Sequence, residues 1–510
     1  MERHIGTWEK EYGEEKTEVG ELIIDGNYIE FYSRFGTSIF PENFVGNDGN
    51  HNYKVFTSGM AVPGNNRVLD HTSSYNVRYV LMHNGSFPVE DDITGIKEFS
   101  FTIPELVEWI GLPLVSFSNT TGNKLAAEEI ELGSIIIKES DPKVELYTES
   151  KSFNSLNLQD NTTITLKREP RIRVVYEKTV DESVLSKDIE CIMQFLGLLI
   201  GKVSYASDIR LSIEGQDLKS WLYINRDFSY NCKMWDVMSK PRTYLYVIED
   251  EIVQLFYNWR KFFYDDHFSL LRSIYFSINN SREKYLEDVF VEYMRILDGY
   301  HTRIARDDET KARIKQALKN ASKEIKKQLF TEDNKPIFEE SIKQVLPDWK
   351  YNSSNIGDIS TWIASGYLGK KSLSYRLKEL DMNYHIMQNG AERIIGQYGR
   401  LEIPDKVEEI YYKELGDTRN YYSHYKSNND GVLDFNQMND SIKVLKATII
   451  SIFFTHMKME SELIRKILAF DTELIMQTSF LRLDEEQPFL HPMEQLKKLK
   501  EDCADNIKMQ

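Results

Sequence analysis

Near Thr179 the hydrophobic pattern of the chain changes period, and no other feature limits the fold as much. Before it, short apolar runs alternate with turn signals. Leu22-Ile23-Ile24 and Tyr28-Ile29-Glu30-Phe31-Tyr32 lie on either side of Asp25-Gly26, a dipeptide suited to a two-residue hairpin. Further strands are expected at Tyr53 to Phe56, Tyr75 to Met82, Lys97 to Thr102, Ser134 to Lys138, Lys143 to Thr148, Thr162 to Lys167 and Arg171 to Tyr176. Turn-rich stretches separate them, notably Asn47-Asp48-Gly49-Asn50 and Pro63-Gly64-Asn65-Asn66. Many short strands with turns between them predict an antiparallel sandwich or barrel.

After Thr179, Glu182 to Gly201 has helical spacing, followed by strand-like Asp208 to Ile213 and Trp221 to Ile224. From about Tyr244 onward the chain reads as helices. They are expected at Ile248 to Tyr264, Arg282 to Arg306, Thr310 to Phe330, Leu373 to Met387, Asp405 to His424, Asn436 to Met459 and Glu460 to Phe470. A Gly- and Ser-rich interruption covers Asn352 to Ser372, and a charged tail runs from Glu494 to Gln510. The length, 510 residues, exceeds what one hydrophobic core usually supports. The expected organisation is α+β and multidomain. An antiparallel β-rich sensory or regulatory domain spans 1–180, a mixed connecting segment 181–243 and an all-α bundle 244–510.

Composition narrows the function. A net charge of -17 argues against general coating of nucleic acid and leaves room for a local basic patch. Cys191, Cys232 and Cys503 are far apart and have no metal-ligand spacing, so a reducing cytoplasm is the expected setting. The polar start Met1-Glu2-Arg3-His4 lacks a signal core. The most apolar run, Cys191 to Ile200, is too short for a bilayer and reads as a buried helix, so no membrane partner is expected. There is no phosphate-binding loop and no nucleophile elbow, and no cofactor or metal is expected.

The chemistry-bearing segment is Asp417-Thr418-Arg419-Asn420-Tyr421-Tyr422-Ser423-His424-Tyr425. Val407, Ile410, Tyr411, Leu415, Thr418 and Tyr422 form the core face of the predicted helix that contains it. The opposite side of the last turn presents Arg419, Ser423, Asn420 and His424 in order around the wheel. Arg419 and His424 lie roughly 140° apart and edge a polar wedge. Arg419 offers a fork of donors to phosphate, His424 moves a proton near neutral pH, and Asn420 orients either one. RNA brings its own nucleophile, the 2′-hydroxyl, so neither a protein nucleophile nor a metal is required. One helix supplies one His, so two copies meeting across a two-fold axis are expected to complete the site. The plainer alternative is a helix end whose His complements the dipole.

Arg-Asn, three further residues and His at the end of a helix resemble the signature of the HEPN superfamily. Ser372-Leu373-Ser374-Tyr375-Arg376-Leu377 resembles the helix before the motif helix, and Asn436 to Met459 the long helix after it. The layout, β-rich then HEPN, is similar to the ApeA-type anti-phage proteins of bacteria. That resemblance implies a metal-independent endoribonuclease in abortive infection, with catalytic Arg419, Asn420 and His424. It implies restraint until a phage-derived trigger reaches the β-rich domain, then cleavage of host RNA, tRNA among the candidates. Two other readings stay open: a non-catalytic dimer that binds nucleotide or another ligand, and a toxin paired with an antitoxin chain.

Lys311, Lys315, Lys319, Lys323 and Lys327 recur every four residues on one predicted helix, and with Ser423 they are candidate RNA contacts. A solvated amphipathic face is the plainer explanation of the lysines. Asp265-Asp266-His267 points in three directions on a helix and makes a poor metal site. His83, His301, His385 and His456 are isolated and read as structural or exposed.

Overall fold

A computed structural model describes residues 2–11, 17–25, 28–35, 43–57, 62–64, 72–83, 93–111, 115–120, 124–129, 142–154, 164–201, 205–215, 220–224, 240–280, 284–303, 308–329, 373–384, 405–424 and 431–471, with scattered positions between 331 and 344. The chain forms two compact units, Met1–Phe262 and Phe263–Gln510.

The first unit is built on a barrel. β1 (Glu2–Lys10), β2 (Thr17–Asp25), β3 (Tyr28–Ser33), β4 (Asn43–Asn47), β5 (Asn52–Thr57) and β7 (Thr72–His83) pair in the cyclic order β3-β2-β1-β4-β5-β7, all antiparallel. β6 (Val62–Gly64) pairs with β7. Closure removes the free edges that an open sheet would expose. The barrel is filled by Trp8, Leu22, Ile24, Ile29, Phe31, Phe44, Tyr53, Val55, Tyr75, Val77, Val80 and Met82. Trp8 is at its centre. Its indole N–H donates to the Gly20 carbonyl at 3.2 Å, and a Cβ on Gly46 would overlap its ring. The small residues opposite Trp8 are therefore a packing requirement.

β7 serves twice. Its residues 73–76 pair with β3 and 79–83 with β14 (Ser220–Ile224). From β14 the sheet runs outward through β13 (Ser207–Ile213), β8 (Ile96–Thr102), β12 (Ile164–Val180) and β11 (Lys143–Asn154). A separate hairpin joins β9 (Val115–Thr120) to β10 (Lys124–Glu129). The sandwich-or-barrel expectation thus resolves to a barrel with an open extension. β13 and β14 belong to that extension, which attaches the middle segment to the strands before it.

Helices α1 (Leu106–Ile110), α2 (Glu182–Ile200), α3 (Leu245–Ile248) and α4 (Ile252–Phe263) accompany the sheet. α2 starts where the Asp181 carboxylate accepts the Val184 N–H, and it ends at Gly201 with φ +85. It carries the apolar run from Cys191 to Ile200, which is buried except for the half-buried Gly197. α4 is fastened to it by Trp259 Nε1–H donating to the Cys191 carbonyl at 2.8 Å and by Arg260 at 3.3 Å from Asp188. Among the described residues no helix is long and apolar enough to cross a membrane.

The second unit is helical: α5 (Asp266–Asn280), α6 (Leu286–Arg303), α7 (Asp308–Leu329), α8 (Leu373–Tyr384), α9 (Asp405–His424), α10 (Phe435–His456) and α11 (Ser461–Phe470). α6 is central and packs against α5, α8, α9 and α10. α5 lies in the stretch read as helical from sequence but was not delimited there as a helix of its own: Ser269, Ser273, Ser277, Asn279 and Asn280 lower its helix propensity, and tertiary burial of Phe268, Leu271, Tyr275 and Ile278 overrides that. The predicted strands at 162–167 and 171–176 prove to be one strand, β12, which runs through Pro170. That proline is tolerated because β8 starts to pair only at Ile172. Predicted strand Ser134 to Lys138, the interruption at Asn352 to Ser372, the tail, Cys232, Cys503 and His385 lie outside the described residues.

Candidate functional site

α9 ends in the motif. Tyr411, Tyr412, Glu414, Leu415, Gly416 and Thr418 are buried along it. Gly416 lets α8 approach closely, since a Cβ there would lie 3.1 Å from Ser374 Oγ. α8 is in turn pinned to α6. Arg376 pairs with Asp298 and donates to Thr302 Oγ1 at 2.9 Å, and His301 Nε2 is 2.6 Å from Glu379 Oε2.

The last turn of α9 then presents its polar groups. Arg419, Asn420 and Ser423 are half-buried and His424 is exposed. Arg419 donates to Asn420 Oδ1 at 3.1 Å, which brings two of the three motif residues together and leaves the Asn420 amide N–H groups free to point elsewhere. Among the described residues His424 has no hydrogen-bond or ion partner within the chain. Tyr421 and Tyr422 meet edge to face with ring centroids 5.0 Å apart. Burial, then the nearby Glu287 carboxylate, pushes the Tyr422 hydroxyl above its ordinary value, so it stays a neutral phenol.

The segment after the motif returns to it, a feature that no sequence pattern singled out. Thr418 is fully buried and its Oγ1 accepts the Leu433 backbone N–H at 2.9 Å. Gly431, at φ +74, passes so near Asp417 that a Cβ would lie 3.3 Å from its Oδ2. α10 then begins with a reciprocal capping box between Asp434 and Gln437. The signals were present as Asn-Asp-Gly at 429–431 and Asp434-Phe435-Asn436-Gln437, a turn dipeptide and a capping pair.

The lysine series falls on α7. Lys319, Lys323 and Lys327 are exposed, while Leu318, Ala321 and Ile325 on the other face are half-buried. Lys311 and Lys315 share the helix. Lys327 lies 3.9 Å from Glu324.

Of the other singled-out groups, Asp265 and His267 turn to each other: the Asp265 carboxylate accepts the His267 N–H at 2.9 Å and lies 2.8 Å from its Nδ1. Among the described residues no three His, Cys, Asp or Glu side chains gather closely enough to hold a metal ion. His83 and His301 are buried, and His456 lies between Tyr300 (hydroxyl to Nε2, 3.1 Å) and the Phe268 ring.

The family model of the ApeA N-terminal domain 1 matches residues 3–259, ending close to the boundary between the two units. The family model of the Apea-like HEPN matches residues 291–463, from α6 into α11, with the motif helix inside it. No curated protein and no solved structure matches the chain.

Proposed function

The chain belongs to the ApeA family, whose β-rich domain and HEPN domain point to a nuclease-type defence protein, and from that premise we propose that it is an endoribonuclease with Arg419, Asn420 and His424 as catalytic residues. The observation that carries the reading is the last turn of α9, where Arg419 is paired with Asn420 and His424 is exposed, with no partner among the described residues.

In the proposed reaction the RNA 2′-hydroxyl attacks the adjacent phosphorus, and the P–O bond to the 5′-oxygen breaks. Neutral His424 takes the 2′-hydroxyl proton, and a protonated His424 from a second copy gives one to the leaving oxygen. Arg419 stabilises the phosphorane, held in place by its bond to Asn420. The products are a 2′,3′-cyclic phosphate and a 5′-hydroxyl, and no step calls on a metal. Because one copy offers one histidine, the working form is a homodimer through the helical unit, with the site where two α9 ends meet. Lys311, Lys315, Lys319, Lys323 and Lys327, together with Ser423, guide the RNA backbone despite the acidic net charge. The β-rich unit receives the phage-derived trigger, the protein acts in the cytoplasm, and tRNA is the first substrate to examine.

Sequencing of RNA ends after induced expression in phage-infected cells tests this reading. Wild-type protein is expected to generate new 5′-hydroxyl ends and arrest growth, and His424→Ala to do neither. Identical end profiles in the two strains would refute it. Cleavage per protomer is also expected to fall on dilution in step with the dimer fraction.

A further inference from the structure

The last turn of α9 carries aromatic side chains that the proposed reaction does not use. At about 100° per residue, with Arg419 as origin, His424 falls at about 140° and Tyr421 at about 200° around the helix. Tyr421 is thus the neighbour of His424 on the side away from Arg419. Tyr422, at about 300°, is the neighbour of Arg419 instead, and the Glu287 carboxylate lies near it. Tyr421 is half-buried, and its edge-to-face contact with Tyr422 restrains the ring. Its hydroxyl has no hydrogen-bond partner among the described residues.

A second aromatic group comes to the same side by another route. Gly431 passes Asp417, at about 160°, and the Leu433 N–H meets Thr418, at about 260°. The returning segment therefore straddles the Tyr421 direction one turn earlier on α9. Two residues later α10 begins with Phe435. Leu433 and Met438, which flank the Asp434–Gln437 capping box, are both buried. Phe435, between them, is left outside: it is 66% exposed and makes no ring contact among the described residues. RNA beside a scissile phosphate brings a phosphate, a sugar and a base. Arg419, Asn420 and His424 suit the first two and offer the base nothing. An aromatic ring suits the base, because every base has a π-face.

We propose that Tyr421 and Phe435 are a stacking platform for the nucleobases next to the scissile phosphate, with Tyr421 under the base nearest His424. The proposal rests on the RNA-cleavage reading of the same helix end. Stacking is tolerant of base identity, so the two rings position the strand and leave its sequence unread. They are positioning residues: they hold the ribose and phosphate against His424 and Arg419 without touching the bonds that change.

A short single-stranded 2′-O-methyl RNA, which has no 2′-hydroxyl to react, and the same strand made abasic test the platform. Both are titrated with full-length protein isolated from phage-infected cells and followed by fluorescence anisotropy. Wild-type protein is expected to bind the base-bearing strand about tenfold more tightly than the abasic one. Tyr421→Phe keeps a ring and is expected to keep that preference. Tyr421→Leu and Phe435→Leu are each expected to shrink it, and to raise KM for unmodified RNA while kcat stays within about twofold. Equal wild-type affinities for the two strands, or a preference that survives both leucine substitutions, would overturn the proposal. So would leucine variants that lose the preference only by dissociating to monomers in sedimentation, which would assign the rings to the contact between copies. Phe435 is exposed, so its variant folds even where Tyr421→Leu does not. Base-dependent binding without cleavage of unmodified RNA would refute the nuclease reading alone, and cleavage without base preference would refute the platform alone.

Discussion

Thr418 Oγ1 accepts the Leu433 backbone N–H at 2.9 Å, which ties the residue before Arg419 to the segment that leads into α10. Thr418→Val keeps the shape and removes the acceptor, leaving a buried donor unpaired at a cost of about 1–3 kcal/mol. The substitution is expected to lower the unfolding midpoint and reduce RNA cleavage through turnover more than through KM. Thr418→Ser is expected to restore both. Denaturant unfolding and steady-state kinetics of the two variants check this.

Gly46 lies against the Trp8 ring in the barrel. Gly46→Ala places a methyl group where the ring already sits, and overpacking of this kind costs about 1–3 kcal/mol. Gly49, at φ +93 with nothing near its Cβ position, gives the contrasting case of a backbone penalty without a clash. Thermal unfolding is expected to show a lower midpoint for Gly46→Ala, and no change would place Trp8 elsewhere.

The packing of Gly46 on Trp8 marks the limit of what the sequence disclosed. β2, β3, β5 and β7 were legible because Leu22 to Ile24, Tyr28 to Tyr32, Tyr53 to Phe56 and Tyr75 to Met82 are short apolar runs bounded by turn signals. The hairpin was legible too, although Asp25 pairs with Tyr28, so that two residues separate the strands and Asp25 itself ends β2. β1 was not legible. Glu2–Lys10 buries one large apolar side chain, Trp8, while Ile5 is 49% exposed, so no alternation stands out. Its strand character comes from closing the ring between β2 and β4, a long-range condition that no local window contains. The motif helix was legible from its core face, whereas the Thr418–Leu433 tie depends on how the chain returns after α9.

His456 gives the helical unit a pH dependence. Burial lowers its imidazole below the ordinary value of 6.5, partly offset by the Asp265 carboxylate. The unfolded chain therefore takes up a proton first as pH falls. Stability is fully present above about pH 6.5 and is lost as pH drops through the lower, folded value. His456→Gln removes the titrating group and can still bond the Tyr300 hydroxyl. Its stability is expected to vary less between about pH 7 and about pH 5 than that of the wild type, as read by denaturant midpoints. Parallel curves would contradict the assignment.

The exposed lysines of α7 carry a further expectation. Reversing Lys319, Lys323 and Lys327 to Glu leaves the half-buried face of α7 untouched, so folding should persist. RNA affinity is expected to fall, and the slope of log affinity against log salt to flatten by about 0.7 for each phosphate that the variant no longer neutralises. Unchanged affinity and slope would assign those lysines to a solvated face alone.

The central claim rests on Arg419 and His424, and cleavage of a purified tRNA pool by protein isolated from phage-infected cells, in the presence of a chelator, tests it most directly. Wild-type protein is expected to cut and to leave 2′,3′-cyclic phosphate ends. Arg419→Ala and His424→Ala are each expected to cut about 100-fold more slowly or less. Undiminished cleavage by both variants, or loss of wild-type cleavage on chelation, would contradict the account.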